Sequence, residues 1–243
     1  RMEGQLPAEP IAAITAVADM QKRGFWYSIR SWGYGLEQES WLLKAGFVDS
    51  WEGLRRIFFE TEFVDADGNR HMVTYRGMDS GGGESEESDL SRTAEAYLFA
   101  YQNPGVALFK GQQKMSTMHT VKDVDKIPGT NKGLPGGLKR FNLHTTEYKN
   151  RLAAKLQISP ADPGAWHLHR DTDSQFAAQM CSEGKDDQGF WQNPKNRPNH
   201  FWDCAYMELA LVDIVGIKFW KRPEEATTTR SEEHTSELQS PNT

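Results

Sequence analysis

The run Ile11-Ala12-Ala13-Ile14-Thr15-Ala16-Val17-Ala18-Asp19-Met20 decides the fold. It is short, apolar and partly β-branched, which marks a buried strand, and that strand ends at an acid. A carboxylate at the end of an apolar strand is partly buried and needs a partner. Outward from it, Phe25–Trp32 is aromatic and bounded by Gly24 and Gly33, so it reads as a second strand. Ser40–Val48 reads as a third, completing a meander.

Ser50 is placed to cap a helix over Trp51–Phe63, with Leu54, Ile57 and Phe58 on one face. Asp65-Ala66-Asp67-Gly68-Asn69 reads as a turn, because the later acidic ligand of a calcium loop is missing. His71–Asp79 is the predicted fourth strand, again ending in an acid. A Gly/Ser/Glu loop over Ser80–Glu87 follows, then a helix over Asp89–Gln102 stopped by Asn103-Pro104-Gly105. Val106–Lys110 is a further buried strand, and Gly111–Gly137 reads as a long, mobile basic loop. Strands are expected at Leu138–His144 and Trp166–His169, with helices near Glu147–Gln157 and Ser174–Ser182. Asn199–Ile217 is the strongest helix, with Phe201, Ala205, Leu209, Val212 and Gly216 as its buried stripe. This order gives an α/β domain, a mixed central sheet flanked by helices, and it matches the ribonuclease H-like fold.

Composition removes several alternatives. A chain of 243 residues can bury a sizeable core, and 11% aromatic residues are too many for a disordered polymer. No apolar run approaches the ~18–20 residues of a membrane span. Arg1–Pro10 has no secretory character, and Cys181 and Cys204 are too few for a disulfide scaffold or a four-cysteine zinc site. The net charge of -6 is unevenly spread. Residues 1–109 hold 10 basic against 17 acidic side chains, residues 110–155 hold 10 against 3, and residues 156–243 hold 8 against 14. Only the middle run, from Lys110 and Lys114 through Lys139 and Arg140 to Lys155, is built to meet a polyanion; otherwise it is a solvated face.

Three acids stand where chemistry can form: Asp19 and Asp79 at strand ends, and Asp203 at the start of the late helix. Sites in open α/β sheets lie at the carboxyl ends of strands. If the first and fourth strands are parallel neighbours, Asp19 and Asp79 lie side by side and the crossing helix delivers Asp203. Such a cluster repels itself unless cations neutralise it, and hard oxygen ligands suit two Mg²⁺ or Mn²⁺ ions. A pair of such ions would activate water and steady the departing 3′ oxygen of a phosphodiester. Singly, Asp79 is equally a turn former and Asp203 equally a partner of the helix dipole.

At these residues the chain resembles the nuclease domain of the large terminase subunit of lambda-type tailed phages. The likeness is carried by Ala16-Val17-Ala18-Asp19-Met20-Gln21, Trp32-Gly33-Tyr34-Gly35, Glu39-Ser40-Trp41-Leu42, Met78-Asp79-Ser80-Gly81-Gly82, Lys110-Gly111 and Asn199-His200-Phe201-Trp202-Asp203-Cys204. It spans roughly Ile11 to Ile217. The resemblance implies a ribonuclease H-like fold and metal-dependent cleavage of concatemeric double-stranded viral DNA, with catalytic and metal-binding roles for Asp19, Asp79 and Asp203. It also implies the small terminase subunit and the portal as partners, and the cytoplasm of an infected host cell as the setting. No GxxxxGK[ST] phosphate loop is present, so the motor ATPase half of a terminase is not in this sequence and no nucleotide site is expected. Residues 1–10 are read as the end of a linker from that half, 11–220 as the nuclease domain and 221–243 as a disordered tail. Within the tail, Arg230–Ser240 resembles translated sequencing adapter. The acidic loop Ser80–Glu87 and the histidine-rich Trp166–Asp171 depart from the family pattern.

Other candidates have two readings each. Lys110 either holds the scissile phosphate or caps the sheet edge, and Lys114, Lys139 and Arg140 are candidate DNA contacts. Ser80 and His200 are candidates to steady the acids from behind, although a residue placed like His200 more often caps its helix. His167 and His169 share a strand face and form a conceivable metal pair. Cys204 reads as packed core, as do Trp26 and Trp32 unless they stack on bases. Two alternative functions remain: a docking module of the packaging motor that cuts weakly or not at all, and another ribonuclease H-like nuclease of resolvase or transposase type.

Overall fold

A computed structural model describes residues 1–81 and 91–222. The opening run is strand β1 (Ile11–Gln21), and β2 (Gly24–Gly33) and β3 (Ser40–Val48) complete an antiparallel meander. Helix α1 (Trp51–Phe59) begins where Ser50 accepts a hydrogen bond from the Gly53 amide, a cap worth about 1 kcal/mol. It ends four residues earlier than the sequence predicts. Phe63 is drawn instead into a small hairpin of β4 (Glu62–Val64) and β5 (Arg70–Met72). Asp65 closes that hairpin by accepting from the Asp67 and Asn69 amides, so the turn is a turn.

The predicted strand His71–Asp79 is two strands. After β5 the chain crosses to the main sheet, where the Thr74 amide donates to Ile14, and β6 (Tyr75–Asp79) runs parallel to β1. Helix α2 (Arg92–Gln102) is capped by Ser91; the predicted start at Asp89, Gly82 and the rest of the acidic loop to Glu87 lie outside the described residues, as does the tail from 223 onward, including Arg230–Ser240. Strand β7 (Val106–Gln112) lies parallel to β6.

The largest correction concerns Gly111–Gly137, which is not a loop. It contains β8 (His119–Lys126) and the first part of β9 (Gly133–His144), paired as an antiparallel hairpin. Exposure explains the error: β8 is polar and largely solvent-facing, so it lacks the apolar alternation that announces a strand. Helix α3 (Thr145–Lys155), the two-residue β10 (Trp166–His167), helix α4 (Ser174–Met180), a hairpin of β11 (Gly184–Lys185) and β12 (Trp191–Gln192), and helix α5 (His200–Val215) follow. Gly216, at φ 77°, ends α5 in the left-handed conformation that glycine adopts without strain.

The main sheet has the order β10-β3-β2-β1-β6-β7-β9-β8, with β1, β6, β7 and β9 mutually parallel. Among the described residues it is an eight-stranded mixed sheet flanked by five α-helices, consistent with a ribonuclease H-like fold. Strand alternation divides the core in two. Ile14, Ala16, Ala18 and Met20 pack with α1 and α2, whereas Ala13 and Val17 pack with α3, α4 and α5. Between them Gly77 leaves room for the Phe109 ring, which a Cβ there would meet at 2.2 Å. Helix α5 is not a stripe but is buried nearly all round from Phe201 to Val212, as befits a helix wedged between the sheet and two others. Among the described residues no helix is long and apolar enough to cross a membrane.

Candidate active site

Asp19 belongs to the alternation class of Ala13 and Val17, so it leaves the sheet on the α5 side. Val17 pairs with Gly77 and Ala18 with Met78, which makes Asp19 and Asp79 neighbours one step further along two parallel strands. Asp203 occupies the first turn of α5, which packs on β1, β2 and β6. The three acids therefore meet at the carboxyl ends of β1 and β6. Asp19 is buried, at 7% exposure. Burial pushes the Asp79 carboxyl up to about 7, and the charges of Asp19 and Asp203 push it the same way. Burial likewise raises Asp203 to about 6; Lys149 opposes that rise and Asp19 adds to it.

Each acid already has partners. Asp19 Oδ2 accepts from Gln21 Nε2 at 2.8 Å and lies 2.8 Å from His200 Nδ1. His200 in turn stacks on Trp26, with ring centroids 5.2 Å apart. Asp79 Oδ1 accepts from the Gly81 amide at 3.1 Å. Asp203 Oδ1 faces Lys149 Nζ at 2.9 Å, and its Oδ2 accepts from Asn199 Nδ2 at 3.0 Å. Lys149, on α3, also binds both oxygens of Glu183 at 2.8 and 2.9 Å. Among the described residues, no three histidine, cysteine or carboxylate side chains form a ready ligand cage.

Sequence reasoning overlooked Lys149, Glu183, Asn199 and Tyr206. Lys149 was one charge among ten in the basic segment, yet it is buried while most of the others are exposed. Tyr206 lies one turn after Asp203, a spacing that could have flagged it. Burial, then the charges of Asp203, Asp79 and Asp19, hold its hydroxyl protonated far above the usual range.

Other candidates lie elsewhere. Ser80 is buried and its hydroxyl donates to the Phe109 carbonyl at 2.6 Å, tying β6 to β7. Lys110 shares the alternation class of Leu108, which pairs with Arg140, and Arg140 reaches Tyr97 of α2; both basic residues are therefore on the sheet face away from the acids. Lys139 pairs with Asp123 across the β8–β9 hairpin, and Lys114 lies 5.0 Å from the centre of the Phe190 ring. His167 bonds Glu39 and stacks on Trp41, whereas His169 contacts Thr172, so the two do not act as a pair. Cys204 is fully buried, and burial pushes its thiol well above the usual range. Trp32 is core and donates to Thr15.

No curated protein and no solved structure matches the chain. The family model described as the terminase large subunit gpA, endonuclease domain, matches residues 2–225, nearly the whole length. The chain thus belongs to the family of terminase large subunit gpA endonuclease domains.

Proposed function

We propose that this domain cuts concatemeric double-stranded viral DNA during packaging, in a divalent-cation-dependent hydrolysis centred on Asp19, Asp79 and Asp203. One observation carries the reading: three carboxylates from three separate elements converge in a buried corner where Asp79 and Asp203 are held above the carboxylate range by burial and by the charge of neighbouring acids, Asp19 among them. Such crowding is unfavourable for the fold alone, and carboxylate oxygens are the hard donors that Mg²⁺ or Mn²⁺ take. Two bound ions would offset the charge that develops on the phosphate and on the departing 3′ oxygen. The chain's own groups do the rest. His200 and Gln21 fix the Asp19 carboxylate, the Gly81 amide fixes Asp79, and Asn199 fixes Asp203. The basic β8–β9 hairpin holds the duplex by its phosphates, with Lys122 and Lys126 exposed on its outer strand. Through the rest of a full-length terminase, an ATPase half, the small subunit and the portal would act with it.

The test is nicking of duplex DNA with Mn²⁺ or Mg²⁺. Asp19→Asn and Asp79→Asn should each lose activity by on the order of a thousandfold while retaining cooperative melting. Wild-type levels of cutting by either variant would remove the mechanism. A wild type that neither binds paired ions nor is thermally stabilised by them would favour the docking module, and a preference for branched junctions over linear duplex would favour a resolvase-type nuclease.

A further inference from the structure

The Asp203 side of the site already contains a cation. Lys149 Nζ lies 2.9 Å from Asp203 Oδ1 and 2.8 and 2.9 Å from the two oxygens of Glu183. The Lys149 and Glu183 side chains are only 11% and 5% exposed. Glu183 is held from behind by Asn199 Nδ2 at 2.7 Å and by Trp202 Nε1 at 3.2 Å, so its carboxylate is aimed and fixed. Asn199 also takes the second oxygen of Asp203, which leaves neither oxygen of that carboxylate without a donor. The Lys149 ammonium is further placed 5.1 Å from the centre of the Tyr206 ring.

We propose that Lys149 is a built-in counter-ion for Asp203 and Glu183, and that a divalent cation must displace it to gain Asp203 as a ligand. The proposal rests on the reading of Asp19, Asp79 and Asp203 as cation ligands and deepens it by adding Glu183 and an internal competitor. An ammonium and a divalent ion cannot share Asp203 Oδ1 at contact distance, because like charges a few ångströms apart in a buried site repel strongly. Two carboxylates with one ammonium carry a charge of -1, whereas the same pair with one divalent ion is neutral, so the exchange improves the local balance once Lys149 has swung away. Until then, Lys149 keeps the Asp203 carboxylate paired and weakens the cation position it serves. Lys149 therefore acts as a gate on one half of the centre rather than as a group that touches DNA.

Two measurements test this on the intact chain. In the first, Mn²⁺ binding is measured by calorimetry for wild type, Lys149→Gln and Asp19→Asn. Glutamine keeps a donor for Glu183 but carries no charge, and Lys149→Gln should bind Mn²⁺ about tenfold or more tightly than wild type. Equal affinity in the two proteins overturns the proposal. In the second, wild type is treated with acetic anhydride and the peptide containing Lys149 is quantified by mass spectrometry. Labelling of Lys149 should rise severalfold when Mn²⁺ saturates the protein, and unchanged or reduced labelling overturns the proposal even if Lys149→Gln fails to fold. Failure of the underlying reading looks different: wild type would bind no Mn²⁺, or would bind it as tightly after Asp19→Asn.

Discussion

Asp79 shows most directly how one residue couples fold to function. Its carboxyl stands at about 7 in the folded chain because burial and two neighbouring acids disfavour its charge. In the unfolded chain it titrates near the ordinary carboxylate value of about 4. The folded state thus binds the proton more tightly, so the associated stability is fully present below about pH 4. It is lost as the pH rises toward 7, and the loss is complete above that. Asp203, at about 6, acts in the same direction over a narrower window. With divalent ions removed by chelator, the wild type should be less stable at pH 8 than near pH 4.5 by an Asp79 contribution on the order of 2–4 kcal/mol. Asp79→Asn should remove that contribution and melt above wild type at pH 8, with the two curves converging near pH 4.5. Parallel melting curves for the two proteins across that range would show that Asp79 is not strained by its surroundings. The sequence announces Asp19 because it ends an apolar run, and Asp79 because it ends a predicted strand just before Ser80-Gly81-Gly82. It does not announce their partners: Lys149, Glu183 and Asn199 lie within 50 positions of one another in a polar stretch, where nothing local distinguishes a buried charge from a solvated one.

At the scale of elements, the alignment of α5 sets where Asp203 falls, and a buried polar cluster sets that alignment. Glu208, in the middle of α5, accepts from Thr15 of β1 and from Ser28 Oγ of β2, the latter at 3.1 Å. Thr15 also accepts from Trp32 Nε1 at 2.7 Å. Close by, Arg30 is buried over the Trp166 ring at 3.6 Å and donates to Ser40 and to the His167 carbonyl. Burial raises the Glu208 carboxyl and lowers the Arg30 guanidinium from their usual ranges. A Glu held toward its neutral form is mimicked by glutamine, so Glu208→Gln should change stability by less than about 1 kcal/mol. Glu208→Ala removes both hydrogen bonds and leaves a cavity against the sheet, and should cost roughly 2–4 kcal/mol in urea unfolding. If alanine is tolerated as well as glutamine, α5 is positioned by apolar packing alone. Apolar runs made the meander, the parallel fourth strand and α5 legible from sequence. The β8–β9 hairpin was not legible, because an exposed edge strand such as His119–Lys126 carries lysines and aspartates where buried strands carry valines.

For the molecule as a whole, the segmental charge acquires a shape. Asp19, Asp79 and Asp203 gather on the α5 side near the centre of the sheet, whereas Lys122, Lys126, Lys139 and Arg140 of the basic segment lie on β8 and β9 at one edge. That separation suits a nuclease that must attract a polyanion without letting it repel its own carboxylates. On the proposed reading, phosphates would settle along the edge and the duplex would extend toward the ends of β1 and β6, where bound cations would mediate contact. Lys122 and Lys126 are exposed on the edge strand, Lys122 beside Arg140 on the face away from the acids, so their neutralisation tests whether this edge holds the duplex with little effect on folding. Lys122→Gln with Lys126→Gln should weaken binding to duplex DNA of any sequence by about tenfold or more at moderate salt. The double variant should also flatten the dependence of log affinity on log salt by about one for each lost phosphate contact. Measured by fluorescence anisotropy in chelator, where no cutting occurs, unchanged affinity together with an unchanged salt slope would move the DNA path off this hairpin. A drop in affinity confined to one DNA sequence would mean instead that these lysines contact base edges rather than phosphates.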